Sequence, residues 1–127
     1  MMLVDTDVVI WNLRGNRKAA DLLDQNPGFM LSAVTWMELM QGLRDKQELR
    51  TLRQALRFWS ATIQPINETI SSRAIFLMEE YSLSHGMQMA DALIAATGLY
   101  LAVPLLTANE KHYRPVNGLE MQVFVPD

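Results

Sequence analysis

Met2-Leu3-Val4-Asp5-Thr6-Asp7-Val8-Val9-Ile10-Trp11 opens the chain with an apolar run too short for a helix, stopped by acids and followed by a second apolar run. The first run reads as a short buried strand, and Val8 to Trp11 as a helical turn entered from Asp5-Thr6-Asp7. The same alternation continues outward. Gly15-Asn16 marks a loop, and Arg17 to Gln25 suits a short helix ended by Asn26-Pro27-Gly28. Phe29-Met30-Leu31 reads as a second strand and leads into a helix from Ser32 or Ala33 to Leu43. From Lys46 to Thr62, Leu49, Leu52, Leu56 and Trp59 share one apolar helical face. Ile63-Gln64-Pro65-Ile66 suggests a third strand, Glu68 to Ser84 a helix broken by His85-Gly86, and Met89 to Leu101 a buried helix. Pro104 to Thr107 and Glu120 to Val125 supply the last strands. Short apolar strands alternating with helices predict an α/β layer fold with a mostly parallel sheet.

Composition narrows the function. The 127 residues suit one domain, 1–127, with no repeat or linker. Cysteine is absent, which excludes a disulfide framework, a thiolate zinc site and a cysteine nucleophile. No Gly-x-Ser-x-Gly elbow accompanies His85 or His112, and all six glycines are isolated, so neither a serine hydrolase nor a nucleotide-loop enzyme is indicated. The apolar stretch Ala92 to Leu106 is interrupted by Thr97, Gly98, Tyr100 and Pro104, and no signal peptide precedes Asp5; a cytoplasmic location is expected. Net charge is −3, against the basic excess usual in nucleic-acid binders.

Reactive groups on an open parallel sheet gather beyond the carboxyl ends of its strands. Asp5 follows the first strand, Glu38 lies on the helix after the second, Asp91 opens the helix before the Pro104 strand, and Asn109 follows Thr107. Clustered carboxylates repel one another, and a divalent cation relieves this; hard oxygen donors favour Mg²⁺ or Mn²⁺. Each acid also has a plainer reading. Thr35-x-x-Glu38 has capping-box spacing, Asp91 suits a helix first turn, and Asp5 or Asp7 could cap the turn after strand one.

Four segments, in order, resemble PIN domains, particularly VapC-type toxins of bacterial toxin–antitoxin pairs. They are Leu3 to Ile10, Ser32 to Gly42 (with Glu38-Leu39 and the closing glycine), Met89 to Thr97 around Asp91, and Leu105 to Tyr113. The resemblance implies a three-layer α/β/α domain and metal-binding acids at Asp5, Glu38 and Asp91. It also implies metal-dependent hydrolysis of RNA phosphodiesters, homodimerisation and inhibition by a cognate antitoxin. The family's fourth acidic position falls at Asn109, which keeps an oxygen but loses the charge. Asp7, where the family commonly carries Asn, is a candidate compensating acid.

Arg14, Arg17 and Lys18, next to the Asp5 loop, are candidates for holding RNA, with Thr107. Lys46, Arg50, Arg53 and Arg57 make a second basic stripe, whose plainer reading is a solvated helix face and whose functional one is a phosphate ridge. Trp36, Met37 and Met40 are candidates for an antitoxin or dimer contact. The competing functions are a non-catalytic binding module, suggested by Asn109 and the low pI, and a metal nuclease acting on DNA.

Overall fold

Alternation in the two central strands builds the layers. In a computed structural model describing residues 1–127, β1 (Leu3–Val4) pairs with β4 (Leu105–Thr107), Leu3 against Leu105 and Val4 against Leu106. Successive side chains of a strand point to opposite faces. Leu3 and Leu105 accordingly enter one apolar cluster, and Val4 and Leu106 the other, all four fully buried. Burial of a side chain of this size contributes roughly 1.5–3 kcal/mol.

The sheet continues through β2 (Met30–Ser32), β3 (Thr62–Gln64) and β5 (Met121–Val123), in the order β3-β2-β1-β4-β5. Every pairing is parallel, so the expected mostly parallel sheet is wholly so. On one face, α5 (Glu68–His85) and α6 (Met89–Leu101) bring Ile70, Leu77, Ala92 and Ala95 onto Leu3 and Leu105. On the other, α1 (Thr6–Leu13), α2 (Arg17–Asp24) and α4 (Lys46–Phe58) bring Val8, Leu23 and Leu52 onto Val4 and Leu106. The third helix, α3 (Ala33–Gln41), serves both clusters through Val34 and Leu39. The short α7 (Glu110–Tyr113) follows β4. Two helical layers around one sheet make the three-layer α/β/α architecture. No helix is long and apolar enough to cross a membrane.

Among the boundaries that depart from the sequence expectation, three have a clear cause. The apolar face of α4 suggested a helix to Thr62, but the helix ends at Phe58. Ser60 adopts φ +52°, its N–H bonds Arg57 O, and Ala61 N–H returns to Leu56 O at 2.9 Å. That is a Schellman ending, made here by serine where glycine would have announced it. The third strand therefore begins earlier, with Thr62 N–H on Phe29 O, and stops before Pro65, which has no N–H to give. The expected turn from Val8 to Trp11 is a full helix, because Asp5 caps it two residues earlier.

Strand order locates the site. The chain runs outward from β1 through β2 and β3, then returns to β1's other side for β4. That reversal opens a crevice at the carboxyl ends of β1 and β4, the usual ligand position in an open α/β sheet.

Candidate active site

Asp5 sits in that crevice because β1 ends at Val4 and α1 begins at Thr6. Its Oδ1 accepts the Thr6 N–H at 2.8 Å, so it is the α1 N-cap that a plainer reading of the sequence allows. Its Oδ2 accepts the Thr107 hydroxyl at 2.8 Å, across the β1–β4 seam. Asp5 is 5% exposed. Burial, then the nearby Asp7 charge, push its pKa up to about 7, against the donors Thr107, Tyr113 and Thr6. Capping alone would leave an exposed, acidic aspartate; this one is held where ionisation is difficult without a neighbouring positive charge.

Glu38 reaches the same place from α3. The Thr6 hydroxyl donates to Glu38 Oε1 at 2.7 Å and stands 2.9 Å from the Thr35 hydroxyl. The capping-box reading of Thr35-x-x-Glu38 does not hold, since Ser32 is the N-cap and bonds Val34 N–H. Thr35 is fully buried and belongs to the site's floor. Thr6 thus joins Asp5, through its amide, to Glu38, through its hydroxyl.

Asp91 arrives from the first turn of α6, near the same rim. Its Oδ2 accepts the Gln88 N–H at 3.4 Å, so the helix-start reading holds for this acid. Its Oδ1 lies 3.6 Å from His112 Nδ1, placing an imidazole beside it. Between these acids stands Tyr113, 1% exposed. Its phenol is held protonated by burial and by the charges of Asp5, Asp91 and Asp7, and it approaches Asp5 as a further donor beyond the close contacts of Thr6 and Thr107.

Asp7 and Asn109 form a linked pair. Asp7 Oδ2 accepts Asn109 Nδ2 at 2.6 Å and Ala108 N–H at 3.1 Å. Asp7 Oδ1 is buried with no partner. An unmet buried acceptor costs roughly 1–3 kcal/mol, more when charged. Burial is the main reason the Asp7 pKa is raised, opposed by the amides of Ala108, Val8 and Asn109.

No three acidic or histidine side chains converge tightly enough here to hold an ion; hydroxyls and amides tie the carboxylates instead. The donor set nevertheless fits a hard divalent cation: carboxylate and amide oxygens, no sulfur, one orphaned buried oxygen and an aspartate that resists its own charge. Glu38 is exposed, with its Oε1 held by the Thr6 hydroxyl.

Thr107 departs from the expected substrate set, and Lys18 remains exposed. Thr107 is fully buried and committed to Asp5, while also accepting the Asn109 N–H at 2.9 Å, so it supports the site and cannot touch RNA. Lys18 lies 3.8 Å from Asp127 and 6.0 Å above the Phe124 ring, against the C-terminal segment. Arg14 and Arg17 are exposed, and Arg14 lines a cleft of about 500 Å³ with Glu38, Ile10, Leu13 and Leu43. The α4 stripe is exposed, with Arg50 bonded to Gln47 and Arg53 and Arg57 edging a depression beside Trp36. Met37 is half-exposed, whereas Trp36 and Met40 pack against the core. Thr6, Thr35 and Tyr113 received no separate role from the sequence, although Thr6 lies between two acids that did.

Thr107→Val removes a donor without changing shape. It should destabilise the protein by about 1–3 kcal/mol at pH 8. The loss should be smaller at pH 5, where Asp5, with its pKa near 7, is protonated. Urea midpoints at the two pH values measure this, and an equal loss at both would remove Asp5 from the explanation.

The chain belongs to the PIN-domain family, whose pattern it matches over residues 2–117. It is 34% identical over 130 aligned positions to ribonuclease VapC10 of Mycobacterium tuberculosis, covering 99% of this chain and 96% of that protein. Identity to ribonuclease VapC19 of the same organism is 33% over 119 positions, covering 89% and 92%. Among solved structures, a toxin–antitoxin complex from Klebsiella pneumoniae contains a chain that superposes with a TM-score of 0.79 at 29% identity, covering 100% of this chain and 98% of that one.

Proposed function

We propose that residues 1–127 form one divalent-metal-dependent endoribonuclease domain, the toxin of a VapBC-type pair, restrained by a cognate antitoxin in the cytoplasm and active as a homodimer. The observation that carries the reading is the placement of Asp5, Glu38 and Asp91, from three separate segments, along one rim, Asp5 and Glu38 joined through Thr6 and Asp91 beside Tyr113. The ribonuclease names of the VapC relatives and the toxin–antitoxin complex containing a similar fold support the substrate and the partner.

Asp5, Glu38 and Asp91 would hold Mg²⁺ or Mn²⁺, which when bound would supply Lewis-acid charge for attack of water on a phosphodiester. Thr107, Thr6 and Tyr113 fix the Asp5 carboxylate so that little reorganisation accompanies binding. Arg14, in the cleft with Glu38, meets the RNA backbone, with Arg17 at the start of α2 contributing charge. Tyr113 and Thr35 close the floor against water.

A non-catalytic binding module is the second reading, favoured by the absence of three converging ligands and the pI near 5.3. Purified antitoxin-free protein incubated with matched RNA and DNA oligonucleotides decides between them. The expected result is RNA cleavage in Mn²⁺ that EDTA abolishes, with DNA intact. No cleavage of either would leave the binding module; cleavage of DNA alone would reassign the substrate.

A further inference from the structure

The Asp7–Asn109 contact is more than the helices that carry it require. Asp5 already caps α1, and Asp7, an acid of its first turn, needs no side-chain partner there. Asn109 precedes α7 but makes no capping bond with its side chain. Its amide instead crosses to Asp7 at 2.6 Å, a contact between residues 102 positions apart. Ala108 N–H donates to the same Asp7 oxygen, so two donors from the β4 rim fix the carboxylate in one orientation. The other oxygen is left buried and unserved.

Two further contacts make this one network with Asp5. Thr107 donates its hydroxyl to Asp5 and accepts the Asn109 N–H, so the loop that aims Asp7 also aims Asp5. Asp5 and Asp7 stand two positions apart at the start of α1, both tied to the β4 rim by Thr107, Ala108 and Asn109. A hydrogen-bond donor could satisfy the orphaned oxygen but would leave the two acids in repulsion. A divalent cation answers both.

We propose that Asp7 supplies a fourth negative charge to the cation site, and that Asn109 is a positioning residue that aims Asp7 rather than a ligand itself. Asn109 has its nitrogen committed to Asp7 and no charge to offer, so the acid of the pair lies on α1. This rests on the metal-dependent reading above and deepens it.

Four proteins test it: wild type, Asp7→Asn, Asn109→Asp, and the double exchange Asp7→Asn/Asn109→Asp. Mn²⁺ affinity is measured by titration calorimetry, melting temperature in EDTA, and RNA cleavage in parallel. Asp7→Asn should weaken Mn²⁺ binding at least tenfold without lowering the melting temperature in EDTA. The double exchange, which moves the charge across the same contact, should regain most of the affinity; a residue with a merely structural role would show no such rescue. Wild-type affinity in Asp7→Asn would overturn the assignment while leaving the metal-dependent reading intact. A wild type that neither binds Mn²⁺ nor cuts RNA would overturn both.

Discussion

Asp5→Asn is expected to reduce RNA cleavage by roughly a hundredfold or more, since loss of a mere supporting contact in a metal site costs about 10–100-fold. The same substitution should make the metal-free protein more stable at pH 8. Its pKa is raised to about 7 in the fold, against 3.8 for the ordinary group. The stability that protonation confers is therefore fully present below pH 3.8 and is lost as pH rises through about 7. Above that range the buried charge costs up to about 4 kcal/mol, and asparagine, itself a good N-cap, avoids it. Melting curves in EDTA should then rank Asp5→Asn above wild type by several degrees at pH 8, with the gap closing toward pH 4. Mn²⁺ should reverse the ranking, because a ligand that binds only the folded wild type stabilises it by mass action. Asp91→Asn should lose cleavage comparably without the gain in stability, since Asp91 sits at the α6 N-terminus, where its charge is favourable by about 0.3–1 kcal/mol. Full cleavage in both variants would end the catalytic account.

The largest stability loss in the site should come from Tyr113→Ala, about 3–5 kcal/mol, as for other buried rings truncated to alanine. The ring is 1% exposed and packs in the cluster with Leu3, Ala92, Leu105 and Val116. Tyr113→Phe separates packing from chemistry. It keeps the ring and removes the donor that helps Asp5 ionise. The Phe variant should fold with near-native stability, yet its pH profile for cleavage should move upward, because Asp5 then needs a higher pH to carry its charge. Chemical denaturation of both variants, with cleavage rates between pH 6 and 9, measures the two effects. An unmoved profile in Tyr113→Phe would confine the residue to the core.

Much of this was legible in the residue order. The apolar runs at Leu3, Leu31 and Leu105 are strands because they are short, continuous and stopped by polar residues, and all three are fully buried. The heptad-like spacing in the Lys46 segment gave the helix and its inward face through Leu52. It gave the wrong end, because Ser60 takes a left-handed conformation that its side chain does not advertise. Asp5 and Asp91 could be placed at element ends, and Glu38 on the helix after the second strand, from the pattern alone. Their plainer readings divided only in three dimensions: capping holds for Asp5 and Asp91 and fails for Glu38.

Local periodicity encodes which face of an element is apolar and where the chain turns, because those depend on neighbours within a turn or two. It therefore determined the α/β class, the helix faces and the acids' position at the rim. Strand order, the Thr6 bridge to Glu38, the burial of Thr107 and the capture of Lys18 by the C-terminal segment were decided by the tertiary structure. So was the 2.6 Å contact of Asp7 with Asn109. The hydrogen bonds among them, Thr6 to Glu38, Thr107 to Asp5 and Asn109 to Asp7, join residues from 32 to 102 positions apart. At such separations the partner is chosen by how the whole chain returns to β1, which no local pattern specifies.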